Sequence, residues 1–438
     1  VTTDVDARRR VVAWVLYDWA YAAFNTIVTT FVVATYFVQA VAPDPARGTT
    51  LWAVTQALAG LLIALAAAPL GAVADCGGRR RALLTVCTLV MVAATGLLWF
   101  VRPTAADVPR ALLLVGTATV AYELATTLYN AMLPGLAPPS RMGRVSGIAW
   151  GMGYLGGLIA LSVCLFGLIT PDPPPFGLDR ASAEPVRAAA LLAAAWMLVF
   201  ALPLLSLGEP ATATRVSWGQ AARGGIAGLR DAIRMVWADR VLTRFLLARM
   251  LYSDGLTTLF AFGAIYAAGT FGMNTRQVLM LGIGLNLTAG AGALLFALVE
   301  DRIGSRAVVL ASLAALLGLG AAVLLVRDAA WFWAVALPLG LFIGPAQSAS
   351  RCLMARLAPE GHRNAAFGLY ALSGRITGFI GPASLALVTA LTGSQRAGMA
   401  VILLLLGAGA LLLLLGVRPA RSTPDQTAIP ARRARAIT

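Results

Sequence analysis

The chain has 438 residues, 59% of them hydrophobic and 12% charged, and its 44 glycines bring the apolar share to roughly 69%. Soluble domains hold about 45–50% on that count and about 25% charge, so nothing here is polar enough to surround ordinary soluble cores. The formal charge of +15 comes from 34 arginines without a lysine. These arginines fall in short loops between apolar runs rather than on a polar foldable module, which excludes nucleic acid as a partner and points to a lipid bilayer.

From the N-terminus, Arg8-Arg9-Arg10 precedes an apolar run that reaches Val41. That run is far longer than the 7–15 residues of a signal-peptide core, so it reads as a first membrane helix. Crossing about 30 Å of hydrocarbon takes about 20 apolar residues. On that rule the spans fall near 11–41, 51–74, 82–101, 111–135, 145–170, 188–207, 241–270, 277–299, 307–326, 331–355, 365–392 and 397–417. Barrel strands would be half as long and strictly alternating. The expected fold is therefore an all-α membrane protein of about twelve transmembrane helices in two pseudo-symmetric six-helix bundles.

The connections divide the chain into a bundle over 1–207, a linker over 208–240, a second bundle over 241–417 and a basic tail over 418–438, expected to be disordered. Within the linker Trp218, Ala222, Ile226, Leu229, Ile233, Val236 and Trp237 recur at helical spacing between arginines, predicting an interfacial amphipathic helix. With the N-terminus in the cytoplasm, 23 arginines lie on the cytoplasmic side, eight on the opposite side and three within spans. That asymmetry satisfies the positive-inside rule and places both termini in the cytoplasm, in a bacterial inner membrane. Cys76, Cys87, Cys164 and Cys352 have no metal-site spacing and His362 stands alone, so no metal and no cofactor is expected.

The two halves repeat each other. Leu136-Ala137-Pro138 before span five matches Leu357-Ala358-Pro359 before span eleven, and at the same offset Gly147, Gly153 and Gly157 fall on Gly368, Gly374 and Gly378. Ala74-Asp75-x-x-Gly78-x-Arg80 recurs as Glu300-Asp301-x-x-Gly304-x-Arg306, and Tyr17-Asp18 resembles Tyr252-Ser253-Asp254. Parallel repeats of this kind bind solute near the midplane and rock around it. The glycines of span five read as small residues for close helix contact.

Six ionisable residues sit inside predicted spans: Asp18, Glu123, Arg249, Asp254, Arg351 and Arg375. Each costs at least about 2.5–3.5 kcal/mol at a helix centre, so they should face protein or water. They occupy spans one, four, seven, ten and eleven, and spans three, six, nine and twelve have none. That sorting fits a central aqueous path ringed by outer helices. Interhelical ion pairs are the plain reading for Asp18, Asp254 and Arg351; for Glu123 and Arg375 a part in substrate or proton handling carries equal weight. Asn25, Tyr129, Asn130, Tyr154, Asn286, Gln347 and Tyr370 are neutral polar candidates for the path wall.

Gly71-x-x-x-Asp75-x-x-Gly78-Arg79-Arg80 resembles the signature loop of the major facilitator superfamily, and the resemblance implies a gating role for Gly71, Asp75, Gly78, Arg79 and Arg80, with Asp301, Gly304 and Arg306 as counterparts in the second half. A narrower likeness is carried by Leu16-Tyr17-Asp18-Trp19-Ala20, Tyr129-Asn130-Ala131-Met132-Leu133-Pro134, Gly143-Arg144-Val145-Ser146-Gly147, Gly153-Tyr154-Leu155-Gly156-Gly157, Gln347-x-x-Ser350-Arg351 and Gly368-x-Tyr370-x-Leu372-Ser373-Gly374-Arg375. These segments resemble the vacuolar-effluxer-like branch linked to autophagy, whose fungal members imply amino-acid export. Span five departs from drug–proton antiporters in lacking their Gly-Pro motif, and Cys76 stands where the signature loop often has a basic residue.

The expectation is a monomeric secondary active transporter of a small polar solute, with amino acids as the substrate class suggested by resemblance and protons as the candidate coupling ion. Cavity charges of both signs would suit a zwitterion. A lipid or amphiphile translocator on the same fold is the alternative. A membrane-embedded enzyme lacks a histidine–acid pair or metal cluster to support it.

Overall fold

A computed structural model describes residues 4–77, 79–207, 236–273, 275–374 and 377–417, with isolated residues between 224 and 234. Trp218, Ala222 and Ile226 of the predicted linker helix lie outside the described residues, as do the basic tail, Gly78 and Arg375, whereas Leu229, Ile233, Val236 and Trp237 of its predicted face are helical. The described chain is helical nearly throughout. Among the described residues ten helices are long and apolar enough to cross a membrane. Arg240–Phe271 and a broken span eleven complete twelve.

Span one begins as the α-helix Asp4–Ala23 and continues through π-helical turns, Phe24–Phe31 and Phe37–Val41, to Val41. Spans two to six are Pro45–Gly77, Arg80–Leu97, Val108–Asn130, Met142–Cys164 and Glu184–Ser206. Spans seven to ten are Arg240–Phe271, Thr275–Ile303, Ser305–Leu325 and Ala329–Leu357. Span eleven comprises Arg363–Ser373 and Ile380–Thr392, and span twelve is Gln395–Gly416. Most helices begin a few residues ahead of the apolar runs, and spans two, eight and ten also run past their ends. A helix keeps its backbone hydrogen bonds past the hydrocarbon edge, whereas a hydropathy run stops at the first charge.

The sequence predicts span eleven as one run over 365–392, and the structure interrupts it between Ser373 and Ile380. The cause is local: Gly374, Gly378 and Gly381-Pro382 fall within nine residues, and glycine and proline each weaken a helix interior. Pro382 is accommodated in the first turn of the second piece, where its missing N–H is not needed.

The halves meet along two helix pairs related by the internal repeat, span two with span eleven and span five with span eight. Glycines permit both approaches. A Cβ on Gly368 would lie 2.5 Å from Cα of Ala68, and one on Gly147 would lie 2.5 Å from Cβ of Ala297. Gly71 faces the backbone of Asn364 just as closely. Beyond the break, Ile380–Thr392 packs on spans seven and twelve of its own half instead.

Candidate functional site

The loops that follow spans two, four, eight and ten share one face of the molecule, the arginine-rich face of the sequence. Near it lies a buried charge pair. Nη1 of Arg351 in span ten stands 2.9 Å from Oδ2 of Asp18 in span one, and the side chains are 2% and 3% exposed. The other groups that hold Arg351 also come from the first half, opposite its own. Arg351 Nε donates to the Ser146 hydroxyl at 3.0 Å and Nη2 to the Ser146 carbonyl at 2.7 Å. Nη1 also donates to Oδ1 of Asn130 at 3.3 Å. The Ser146 hydroxyl in turn donates to the Ser348 carbonyl at 2.9 Å. On the acid side the Tyr129 hydroxyl donates to Asp18 at 2.8 Å.

Aromatic rings complete the enclosure. The guanidinium carbon of Arg351 lies 4.8 Å from the Trp14 ring, 5.6 Å from Trp150 and 5.8 Å from Tyr129. Trp14 stacks on Tyr129 at 4.5 Å and fixes it by donating Nε1–H to its carbonyl. A planar guanidinium can be held by a carboxylate, a hydroxyl and ring faces at once, which a lysine ammonium could not match. Burying both charges is tolerable because the donors and acceptors are matched.

Two acids on the same face join the halves in another way. Asp75, at the end of span two, accepts from the backbone N–H of Asn364 at 3.1 Å, of Ala365 at 2.9 Å and from the Asn364 amide side chain. Asp301, at the end of span eight, accepts from the backbone N–H of Gly143 at 2.8 Å and of Arg144 at 3.1 Å. Each carboxylate thus caps the free amides at the start of a helix in the other half, span eleven and span five, where the helix dipole favours negative charge. Gly143-Arg144 and Asn364-Ala365 are related by the same offset as Asn130 and Arg351, so the two caps are repeat-related images of each other. Arg356 reinforces the Asp301 side, 3.6 Å from its carboxylate and donating to the Pro139 carbonyl across the halves.

The loop arginines act within their own halves. Arg81 Nε donates to the Leu205 carbonyl at the end of span six, and Arg306 Nη2 donates to the Leu414 carbonyl at the end of span twelve at 2.8 Å. Both complete orphan carbonyls at a helix C-terminus. Gly304 takes φ 85° ahead of span nine, a backbone conformation that suits glycine. Arg80 lies close enough to Asp75 to act on its charge, and Arg79 is half-buried beside it.

The remaining predicted residues separate. Arg249 in span seven donates to the Tyr370 carbonyl and to the Ser373 hydroxyl at 2.8 Å, with its guanidinium carbon 3.5 Å from the Tyr370 ring centroid. Asp254 departs from the expected ion pair: among the described residues it has no cation partner. Its Oδ2 accepts from Gly381 N–H at 2.9 Å, capping the second piece of span eleven, and Oδ1 is buried without a hydrogen bond. Five residues apart on one helix, Arg249 and Asp254 therefore secure the two sides of the break.

Glu123 is half-buried in span four, beside Tyr122, whose ring packs edge-on to Tyr21 at 5.2 Å. Asn25 is exposed in the π-helical part of span one and accepts from Thr29 at 2.8 Å. Tyr154, Asn286 and Gln347 are half-buried on spans five, eight and ten. π-helical turns widen the backbone and concentrate at functional positions. Ser146, Trp14, Trp150, Asn364 and Arg356 are site residues that sequence reasoning missed. Asn364 had a signal, since it sits at the repeat offset from Gly143, and Ser146 lies in the Gly143–Gly147 segment that carries the family likeness; Trp14, Trp150 and Arg356 had none. Glu300 was missed as a buried acid: it is 1% exposed, accepts from Ser305 at 2.6 Å and lies under Gly143.

Known proteins share both sequence and fold. The family profile described as "Vacuole effluxer Atg22 like" matches residues 38–427. The "Uncharacterized MFS-type transporter YxiO" of Bacillus subtilis is 24% identical over 92% of this chain and 93% of its own length. "Autophagy-related protein 22" of Cryptococcus neoformans is 27% identical over 60% of this chain, and the match spans about half of that longer protein. Among solved structures, the fucose:proton symporter FucP of E. coli superposes with a TM-score of 0.74 at 13% identity, covering 95% of this chain and 99% of that one. The human organic anion transporter MFSD10 gives 0.68 at 18% identity, covering 93% and 99%. The profile match over residues 38–427, with the transporter fold of the solved neighbours, makes this protein a member of the vacuole effluxer Atg22-like family, a membrane transporter of the major facilitator fold.

Proposed function

We propose that the protein moves a small zwitterionic solute of the amino-acid type by alternating access, with the arginine-rich face in the cytoplasm and the chain acting as a monomer. The observation that carries this reading is the Asp18–Arg351 pair with its two flanking caps. All three join the halves at one face only, which is what a closed gate on that side requires. Solute would then enter from the opposite face, where the outer piece of span eleven stays with its own half. Solved neighbours include FucP in the outward conformation, which supports the same state here.

Asn25 and the Thr29 hydroxyl, with Tyr154, Asn286 and Gln347, offer hydrogen-bonding groups along the path. Glu123 would meet an ammonium group and Arg375 a carboxylate. Glu123 lies seven residues from Asn130, about 10 Å of helix rise above the closed gate. As a half-buried acid at that depth it is also the candidate for carrying a coupled proton, and FucP and XylE are themselves described as proton symporters.

The test is uptake of labelled amino acids into proteoliposomes with and without an imposed proton gradient. Expected are saturable uptake, stimulation by the gradient and loss of that stimulation in Glu123→Gln. Wild-type rates in both Glu123→Gln and Arg375→Ala would refute the zwitterion site. A rate indifferent to the gradient would refute proton coupling alone.

A further inference from the structure

The face opposite the gate carries few arginines, yet three of them converge on one cleft of about 370 Å³ lined by Phe100, Arg102, Thr104, Asp107, Arg110 and Arg187. It lies at the ends of spans three, four and six, which pack together within the first half and away from the contact between halves. Arg187 is 7% exposed. Its Nε donates to the Trp99 carbonyl at 2.8 Å and Nη1 to the Ser182 carbonyl at 3.3 Å, with the guanidinium carbon 4.7 Å from the Trp99 ring. Neutral carbonyls and a ring aim this charge without neutralising it. Among the described residues no carboxylate pairs with it.

One acid serves the whole cluster. Asp107 pairs with Arg110 at 3.1 Å and accepts from the Arg102 backbone N–H at 2.9 Å. Arg110 also reaches the Phe100 carbonyl at 3.4 Å. Three guanidinium groups against one carboxylate leave two positive charges around a solvent-sized space. The N-terminus of span four, starting at Val108, adds its dipole to the same side. Gathering like charges, one of them buried, is unfavourable until an anion joins them.

We propose that this cleft is a binding site for a phosphate-type oxyanion, held by Arg187 from below and by Arg102 and Arg110 at the rim. Planar guanidinium forks suit such oxygens. Two sources supply such a phosphate: a lipid headgroup, favoured by Phe100 standing 56% exposed beside the cleft, or a free phosphate group in solution. Neither source involves the solute path between the halves.

The experiment is a thermal-shift titration of the purified full-length chain with inorganic phosphate, and separately with mixed micelles of phosphatidylglycerol against phosphatidylcholine. The comparison variant is Arg102→Ala/Arg110→Ala, which leaves the buried Arg187 and its packing intact. Arg47→Ala/Arg327→Ala, on the same face outside the cleft, controls for general charge. Expected is a rise in Tm with at least one anionic probe, and an apparent Kd weakened about tenfold or more in the cleft variant but not in the control. A response to phosphatidylglycerol alone assigns the site to lipid, and a response to phosphate alone assigns it to a soluble anion. Equal responses of wild type and cleft variant, or an equal loss in the control, overturn the proposal.

Discussion

Arg351 is enclosed on all sides by its neighbours. Carboxylate, hydroxyl, carbonyl and ring faces meet it from the opposite half, so removing it strands Asp18 in a closed site. Leaving one partner of a buried pair uncompensated costs about 3–5 kcal/mol, whereas replacing both can be nearly neutral. Arg351→Met should therefore lower the thermal midpoint of the purified protein strongly, and Asp18→Asn/Arg351→Met should recover a good part of the loss. Equal midpoints for the single and double variants would show that Asp18 is not stranded. Asp254 makes a contrasting case. Its contact is a cap, and an asparagine side-chain oxygen can accept from Gly381 N–H as the carboxylate does. Asp254→Asn should cost under about 1 kcal/mol and Asp254→Leu about 1–2 kcal/mol. Denaturation of both variants in the same detergent checks the order.

At the scale of elements, the closed face depends on two helix pairs whose surfaces carry glycine where the backbones approach. Span two against span eleven needs Gly71 and Gly368, and span five against span eight needs Gly143, Gly147 and Gly151. At Gly71 and Gly368 the obstacle is backbone, which does not yield as a flexible side chain would; at Gly147 it is partly backbone, and at Gly143 and Gly151 it is the side chains of Glu300, Asp301 and Leu294. Gly71→Val or Gly368→Leu should hold the arginine-rich ends of spans two and eleven apart. Spin labels on those ends would report a longer distance than in wild type, with transport reduced at unchanged insertion. The glycine pattern was legible from sequence because small-residue spacing and the repeat coincide. The break in span eleven was not read, because a hydropathy window averages over Gly374, Gly378 and Gly381-Pro382, and apolar neighbours keep the mean high.

Across the whole molecule, two caps that the repeat maps onto each other join the halves at the arginine-rich face. Asp75 and Asp301 each lose their acceptor role in the alanine variants, worth about 0.5–2 kcal/mol apiece for a helix cap. They have no partner in common, so their effects on the closed state should add to within about 0.5 kcal/mol. Distance distributions across the arginine-rich face should shift towards the open form in Asp75→Ala and in Asp301→Ala, and further in the double variant. A double variant no more open than either single one would mean that one cap alone governs closure.

Hydropathy, arginine placement and the internal repeat were enough to determine a twelve-helix, two-half membrane fold, because the cost of burying polar backbone and charge in lipid acts on every residue of a span independently of its partners. The sorting of charge onto spans one, four, seven, ten and eleven was equally visible. Partnership was not. Asp18 and Asp254 look alike as single intramembrane acids, yet one pairs with Arg351 across the halves and the other caps a helix within its own. Glu300 and Arg187 lie just outside the predicted runs, since a run ends at the first charge, and only the folded chain buries them. Which charges meet is decided by how two bundles lie against each other, and that arrangement belongs to the tertiary structure.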